Sequence, residues 1–332
     1  MNTAIGIHDD ALASAVRACG VDHPEEIIEL DARRKGIKTL EGLERLVNLR
    51  KLHLGWNELS DLKPISRLSQ LTGLFLENNK IEDISPLNGL TRLPALDISN
   101  NQIRDVSAFD GARKVTWLNL SNNRVEDLAP LRRSTFLTIL NINANNIADL
   151  SALNSMDRLR VLSANDNLLT EPPNTEQLPS LGSLFLSRNL LNSVEFRKSL
   201  PELRHMDLSG NRIRSVEFLK YTPNLHTLNL SENPIEHCSP VFKLEQLRSL
   251  YLWHTGVDSL DGVSRLQQLT ELGVADNNLT DVAEVLLMPQ LQLLFLGGNH
   301  RLPRSQIEKL KHNTEIRDLR GPNWKDLGDT TI

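Results

Sequence analysis

The chain lacks most of what the common function classes require. Only two cysteines, Cys19 and Cys238, occur in 332 residues, so a disulfide framework is excluded and a reducing compartment is the expectation. No apolar run reaches the roughly 18 residues of a bilayer span. The start, MNTAIGIHDDALASAVRACG, has no basic stretch leading into an apolar core, so neither a membrane anchor nor a signal peptide is expected and a cytoplasmic setting is. There is no cationic excess: 37 Lys+Arg stand against 42 Asp+Glu, net charge -5, which argues against nucleic acid as partner. The nine histidines show no metal-ligand spacing, and no glycine-rich phosphate loop or nucleophile elbow is present. No cofactor and no catalysis are therefore expected. Aromatic residues make up only 4% of the chain, which makes their positions informative.

What is present is a period. The string L-x-x-L-x-L-x-x-N-x-I recurs every 22 residues, with its asparagine at Asn57, Asn79, Asn101, Asn123, Asn145, Asn167, Asn189, Asn211, Asn233, Asn277 and Asn299. Lys35 and Thr255 stand in the same phase, giving thirteen rungs over residues 27–312. Around Asn79 the full apolar set is Leu71, Leu74, Leu76, Ile81, Ile84, Leu87 and Leu90. The L-x-L pair alternates and reads as a short strand, while the later apolar residues, three apart, fit turns or 3₁₀-helix. A single rung can bury its apolar edge only against its neighbours, so the expected object is one stacked solenoid. The strands need about 4.8 Å of spacing and the return segments more, so the strands should line the inside of a curve.

The asparagine is expected to be structural, its amide satisfying backbone groups of its own and adjacent rungs. Thr255 lacks half of that amide, which predicts a looser corner there. Both ends should be sealed. At the front, residues 1–26 form a cap in which Asp9 or Asp10 starts a helix over 11–19, with Leu12, Ala15, Val16 and Cys19 on one face and Gly20 ending it. Residues 303–332 form the other cap, with Ile307 and Leu310 on a helix, a strand-like EIRDL and a polar tail holding Trp324. Cys19 and Cys238 read as small buried hydrophobes. Asp61, Asp83, Asp105, Asp127 and Asp149 recur at one rung position and could attract calcium or a basic partner, but Ser193, Ser215 and Ser259 continue the series, which favours local capping of the next turn.

The repeat resembles the 22-residue leucine-rich repeats of the bacterial internalin family. LTGLFLENNKIEDISPLNGL at 71–90 and VTWLNLSNNRVEDLAPL at 115–131 follow that pattern, as does the helix before the first rung. The resemblance implies an α/β right-handed solenoid: about thirteen parallel strands on the concave face, turns or 3₁₀ segments on the convex face, and short helical caps. The chain shows none of the secretion signal, immunoglobulin-like region or wall-sorting tail of surface internalins, so host-cell adhesion is not implied. The chain is also similar in pattern to the intracellular leucine-rich-repeat regulatory subunit of protein phosphatase 1, which implies a binder without a signal peptide.

Positions two, four and six before the asparagine point away from the leucines, and the residue just before it sits at the margin of that face. Trp56, Phe75, Trp117, Phe185, Tyr251, Trp253 and Phe295 fall there, although packing does not require rings at these places, and such rings serve as interface anchors. An alternative is that some merely pack on the next rung. The sharpest expectation is an apolar trough, with Gly273 and Ala275 small between Tyr251, Trp253 and Phe295, rimmed by His254, Glu271 and Asp276. A weaker trough is expected where Gly55 and Gly73 sit beside Trp56 and Phe75. Asn119, Asn141, Asn143, Ser163, Asn165, Ser187, Ser209, Asn229 and Ser231 make the intervening face polar. The function expected is non-enzymatic binding of a protein or peptide, with a signal-less exported effector as the alternative and an enzyme as the third class.

Overall fold

The computed structural model describes residues 6–111, 114–310 and 315–316. They group into two compact units, Met1–Leu162 and Ser163–Ile332.

In the first unit, helix α1 (Asp10–Ala18) is followed by strands β1 (Glu29–Asp31), β2 (Lys51–His53), β3 (Gly73–Phe75), β4 (Ala95–Asp97), β5 (Trp117–Asn119) and β6 (Ile139–Asn141). Strand β7 (Val161–Ser163) falls at the division between the units. Each strand from β1 to β6 pairs in parallel with the next, at a register step of one repeat, so that Leu30, Leu52, Leu74, Leu96, Leu118 and Leu140 stand side by side. All six are 0–1% exposed. Only the middle residue of each strand faces the core, which is why a three-residue strand suffices. The return path runs through 3₁₀ turns such as Lys63–Arg67, Ser85–Gly89 and Ala129–Arg133, each with proline near its start. Proline fits there because its fixed φ suits the first turn and its missing N–H would have had no partner.

The second unit repeats the plan with β8 (Ser183–Phe185), β9 (His205–Asp207), β10 (Thr227–Asn229), β11 (Ser249–Tyr251), β12 (Glu271–Gly273) and β13 (Leu293–Phe295), then α2 (Arg304–Leu310) and β14 (Glu315–Ile316). Its strands also pair in parallel in chain order. Leu310 seals the end at 0% exposed. The expected strand-like EIRDL begins as β14, and the tail with Trp324 lies outside the described residues.

The asparagine ladder is as the sequence implies. Asn123 is typical: Nδ2 donates to Ile98 O at 2.9 Å and Leu120 O at 3.0 Å, while Oδ1 accepts from Ile103 N at 3.0 Å. One amide thus satisfies groups on two rungs that the corner would orphan. At Thr255 the hydroxyl donates to Leu252 O at 2.8 Å but is too short to reach back one rung. Ile235 N, whose equivalents bond the next rung's asparagine, bonds Asn233 O at 2.9 Å instead. Pro234 removes a further donor at the same corner.

The aspartate series also behaves as caps. Asp61, Asp83, Asp105, Asp127 and Asp149 each accept the backbone N–H two residues on, at 2.7–2.8 Å. Ser215 and Ser259 make the same bond less tightly, at 3.5 and 3.0 Å.

Two expectations about cysteine are corrected. Helix α1 is capped by Asp9, whose Oδ1 accepts Ala11 N and Leu12 N at 3.0 Å, and it buries Leu12, Ala15 and Val16. Cys19 is the exposed C-cap residue, because the helix ends at Ala18 and its buried face ends earlier still, at Val16. Gly20, with φ +69°, turns the chain away. Cys238 is half-buried, its thiol donating to Ser259 O at 3.6 Å and pushed up to about 11 by burial.

Candidate partner-binding face

A second regularity governs the leucine-free face. The residue just before the ladder position is left-handed in rung after rung: Arg34, Trp56, Asn78, Asn100, Asn122 and Ala144 in the first unit have φ between +51° and +62°. Asp166, Arg188, Gly210, Glu232, His254, Asp276 and Gly298 continue the series in the second. The corner demands this conformation, which disfavours most side chains by about 1–2 kcal/mol. Asparagine and glycine ease it; tryptophan does not. Trp56 is nonetheless 50% exposed, with the Arg34 guanidinium 4.8 Å from its ring centre. Replacing Trp56 by asparagine, the residue found at Asn78, Asn100 and Asn122, is expected to leave the melting temperature unchanged or to raise it. A fall of several degrees would show that the ring supports the fold.

The residue four before the ladder position has its own task. The N–H two residues later points away from the neighbouring strand, and a carboxylate or amide here can accept it. Asp97 and Asn119 do so for Ser99 N at 2.9 Å and Ser121 N at 3.1 Å. Asn141, Asp207 and Asn229 do the same for Asn143, Ser209 and Ser231. The polar residues expected to offer free hydrogen bonds thus spend much of their capacity on their own corner. Where a ring replaces the acceptor, another group steps in: Asn165 Oδ1 accepts Ser187 N at 2.7 Å beside Phe185, and Ser231 Oγ accepts Trp253 N at 3.1 Å beside Tyr251.

Asp207 is 4% exposed, and burial raises its carboxyl above the ordinary range. A raised folded-state value means that its stabilising contribution is complete below the unfolded value and is lost as pH rises through the folded one. Asp207→Asn, which installs the residue already used at Asn119 and Asn229, is expected to be more stable than wild type at neutral pH. The two proteins should converge below about pH 4, where the unfolded carboxyl is protonated. Urea titrations at both pH values check it, and a variant weaker at neutral pH would contradict it.

The trough is filled. In the second unit a Cβ built on Gly273 would lie 2.1 Å from Trp253 Nε1 and 2.7 Å from Tyr251 Cδ1. The indole lies over the glycine, edge-to-face with Tyr251 at 5.8 Å and with Phe295 at 5.7 Å. Tyr251 and Phe295 are 5% and 7% exposed and Trp253 is half-buried, so these rings close the hollow themselves. Their burial leaves Trp253 Nε1 without a hydrogen-bond partner. Burial, then the half-buried Glu271, pushes the Tyr251 hydroxyl up, while His254 and Asp276 are exposed and 3.6 Å apart. The smaller hollow at Gly55 is likewise taken, here by the Glu77 carboxylate, 2.0 Å from a built Cβ. Glycine therefore marks where a neighbouring side chain lies down.

In the first unit the rings stay more open. Phe75 leans on Gly73, 3.2 Å from a built Cβ, and stacks flat on His53 with centroids 4.5 Å apart. Trp117 lies 6.4 Å from Phe75. The register places Gly73, Ala95 and Trp117 in one row and His53, Phe75 and Asp97 in the next. His53, Phe75 and Trp117 are all half-buried, none as closed off as Tyr251 and Phe295, and form a continuous ledge. Phe185, half-buried in the second unit, stands apart beside Asp207. A depression of about 500 Å³ adjoins Trp56, lined by Asp31, Arg33, Arg34, Lys35 and Glu77. His53 and Arg34 were not expected as members of this surface; their signal was their place in the same rung columns as Phe75 and Trp56.

Comparison with known proteins agrees with this architecture. Leucine rich repeat sequence profiles match residues 45–62 and 69–125, and a two-copy profile matches 113–155 and 201–243. No curated protein sequence matches the chain. Among solved structures, an internalin (inlF) from Listeria monocytogenes is 24% identical with a TM-score of 0.73, over 96% of this chain and 97% of that one. The functional domain of InlJ from the same organism is 22% identical with a TM-score of 0.71, over 93% and 79%. The leucine-rich-repeat ectodomain of the receptor kinase GASSHO1/SCHENGEN3 from Arabidopsis thaliana, seen in complex with CASPARIAN STRIP INTEGRITY FACTOR 2, is 23% identical with a TM-score of 0.64, over 85% and 43%. The chain is a leucine-rich-repeat protein, and its 22-residue rungs resemble those of the bacterial internalins.

Proposed function

We propose that the protein is a non-enzymatic scaffold that binds a protein or peptide through the leucine-free face of its strands. The observation that carries this reading is the ledge of His53, Phe75 and Trp117 in the first unit. Three neighbouring rings remain partly exposed beside Gly73 and Ala95, although the fold places an Asp or Asn cap at the Phe75 position in six of the other twelve rungs. Rings on a rigid strand array lose little conformational entropy on association, which is what makes aromatic anchors effective. The plant receptor ectodomain found in complex with CASPARIAN STRIP INTEGRITY FACTOR 2 supports a binding role for this fold.

Of the anchors expected from the sequence, Trp56, Phe75 and Trp117 are the ones we assign to contact with a partner. Tyr251, Trp253 and Phe295 act as packing that shapes the second unit's surface, with His254, Glu271 and Asp276 at its edge and Phe185 as a separate contact. The setting we propose is the cytoplasm, on the strength of two unpaired cysteines. Affinity capture from native lysate, wild type beside Phe75→Ala/Trp117→Ala, tests the reading. Loss of a captured polypeptide by at least about tenfold, roughly 1.4 kcal/mol, is expected while the circular dichroism melt is retained. Equal capture by both proteins would refute it.

A further inference from the structure

Three successive rungs of the second unit enter their strands on a cationic or protonatable residue. Arg204, His226 and Arg248 immediately precede β9, β10 and β11. His226 N bonds Arg204 O, and Arg248 N bonds His226 O, both at 2.8 Å, so the three stand side by side. The rung spacing of about 4.8 Å makes the column roughly 10 Å long. His205, the first residue of β9, adds a fourth group, its ring edge-to-face with His226 at 6.4 Å between centroids. Arg204 is anchored by donating to Pro201 O. Arg248 is exposed and makes no ion pair among the described residues.

The charged groups that shift the two imidazoles are cationic. His205 is held below its ordinary value by burial, then by His226 and Arg204; His226 by burial, then by Arg248 and Arg204. Ser183, Thr227 and Ser249, which lie across the strands, carry no charge. The carboxylates in reach among the described residues are otherwise placed: Asp207, two residues on from His205 along β9, is buried and its Oδ1 accepts Ser209 N and the Ser209 hydroxyl. Glu271 on β12 accepts the Ser249 hydroxyl at 3.3 Å, and Glu202 is exposed and makes no ion pair among the described residues. Among the described residues, two arginines and two imidazoles thus stand together on adjacent rungs with no ion pair to a carboxylate.

We propose that the Arg204–His205–His226–Arg248 column docks a short acidic segment of a polypeptide, and that its affinity rises as pH falls. Charge complementarity selects the chemistry, and length selects the source. A column of about 10 Å accommodates two or three carboxylates, since same-face residues of an extended chain are about 6.6 Å apart. A nucleic acid would need a longer cationic track and would meet a chain of net charge -5. Carboxylates beside the imidazoles favour their charged form, so protons are taken up on binding and acid strengthens it.

The test uses the full chain and a fluorescein-labelled Glu-Ser-Glu-Ser-Glu-Ser peptide, with anisotropy read at about pH 8 and about pH 5.5, on either side of the imidazole range. Binding about tenfold tighter at the lower pH is expected, one unit of combined upward shift in the imidazoles. His205→Asn/His226→Asn should abolish the pH dependence, and Arg204→Gln/Arg248→Gln should weaken binding at both pH values. Arg248→Glu should lose the Glu-Ser peptide and gain a Lys-Ser-Lys-Ser-Lys-Ser peptide, a reversal that loss of folding would not produce. PH-independent binding, insensitivity to the arginine changes, or tighter binding of an oligothymidylate of equal charge would overturn the proposal.

Discussion

Asn233→Ala is expected to destabilise the second unit by about 3–6 kcal/mol, because each buried hydrogen-bonding group left unpaired costs about 1–3 kcal/mol. Asn233 is 1% exposed. Its Nδ2 donates to Leu208 O at 2.9 Å, Leu230 O at 3.0 Å and Ser231 O at 3.2 Å, while its Oδ1 accepts Ile213 N at 2.9 Å. Truncation orphans groups on two rungs at once, at a corner that is closed to solvent with the side chain in place. The effect should appear as a lower urea midpoint for β9 to β11 by hydrogen exchange. In a repeat array each rung leans on its neighbours, so the loss propagates along the unit. A shift below about 1 kcal/mol would mean that the corner relaxes around the gap. Asn233→Asp separates the two halves of the amide, since it keeps the acceptor for Ile213 N and removes the donors.

Gly273→Val is expected to expel the Trp253 indole from the surface it covers, at about 1–3 kcal/mol in stability, the usual range for overpacking. The added Cβ alone would stand 2.1 Å from Nε1, and Tyr251 on the other side leaves the ring no lateral room. The freed indole gains water for an N–H that is unsatisfied in the packed state. That gain limits the loss. The measurement is the Trp253 indole resonance, which should move toward its solvent position, together with the melt. An unchanged resonance would mean that the backbone of β12 shifts instead.

These two sites differ in how far sequence alone discloses them. The ladder is legible because it depends only on position within the period: an amide at that phase always finds the same carbonyls, whichever rung it sits on. The strands, the 3₁₀ returns and the Asp83-type caps are legible for the same reason. The fate of Gly273 is not. Whether a hollow stays open depends on the rotamer of Trp253, twenty residues earlier, and on Phe295 beyond, and periodicity carries no rotamer. The ledge around Phe75 shows a different outcome from a similar pattern, since His53 stacks on the ring and it stays partly exposed where Tyr251 and Phe295 are buried. Helical phase puts Cys19 on the buried face, but the helix ends one residue earlier, and phase alone carries no stop.

The left-handed corner has a consequence for change over time. Because the backbone there is set by the rung and not by the side chain, arginine, tryptophan, asparagine, alanine, aspartate, glutamate and histidine all occupy it in one molecule. Asparagine bears the conformation at less cost than tryptophan does, yet neither changes the backbone, so exchanging one residue for another leaves the architecture alone and alters chiefly what the molecule displays. Mutation can therefore rewrite this single file of residues faster than the leucines behind it, and a lineage can acquire a new ligand without learning to fold again.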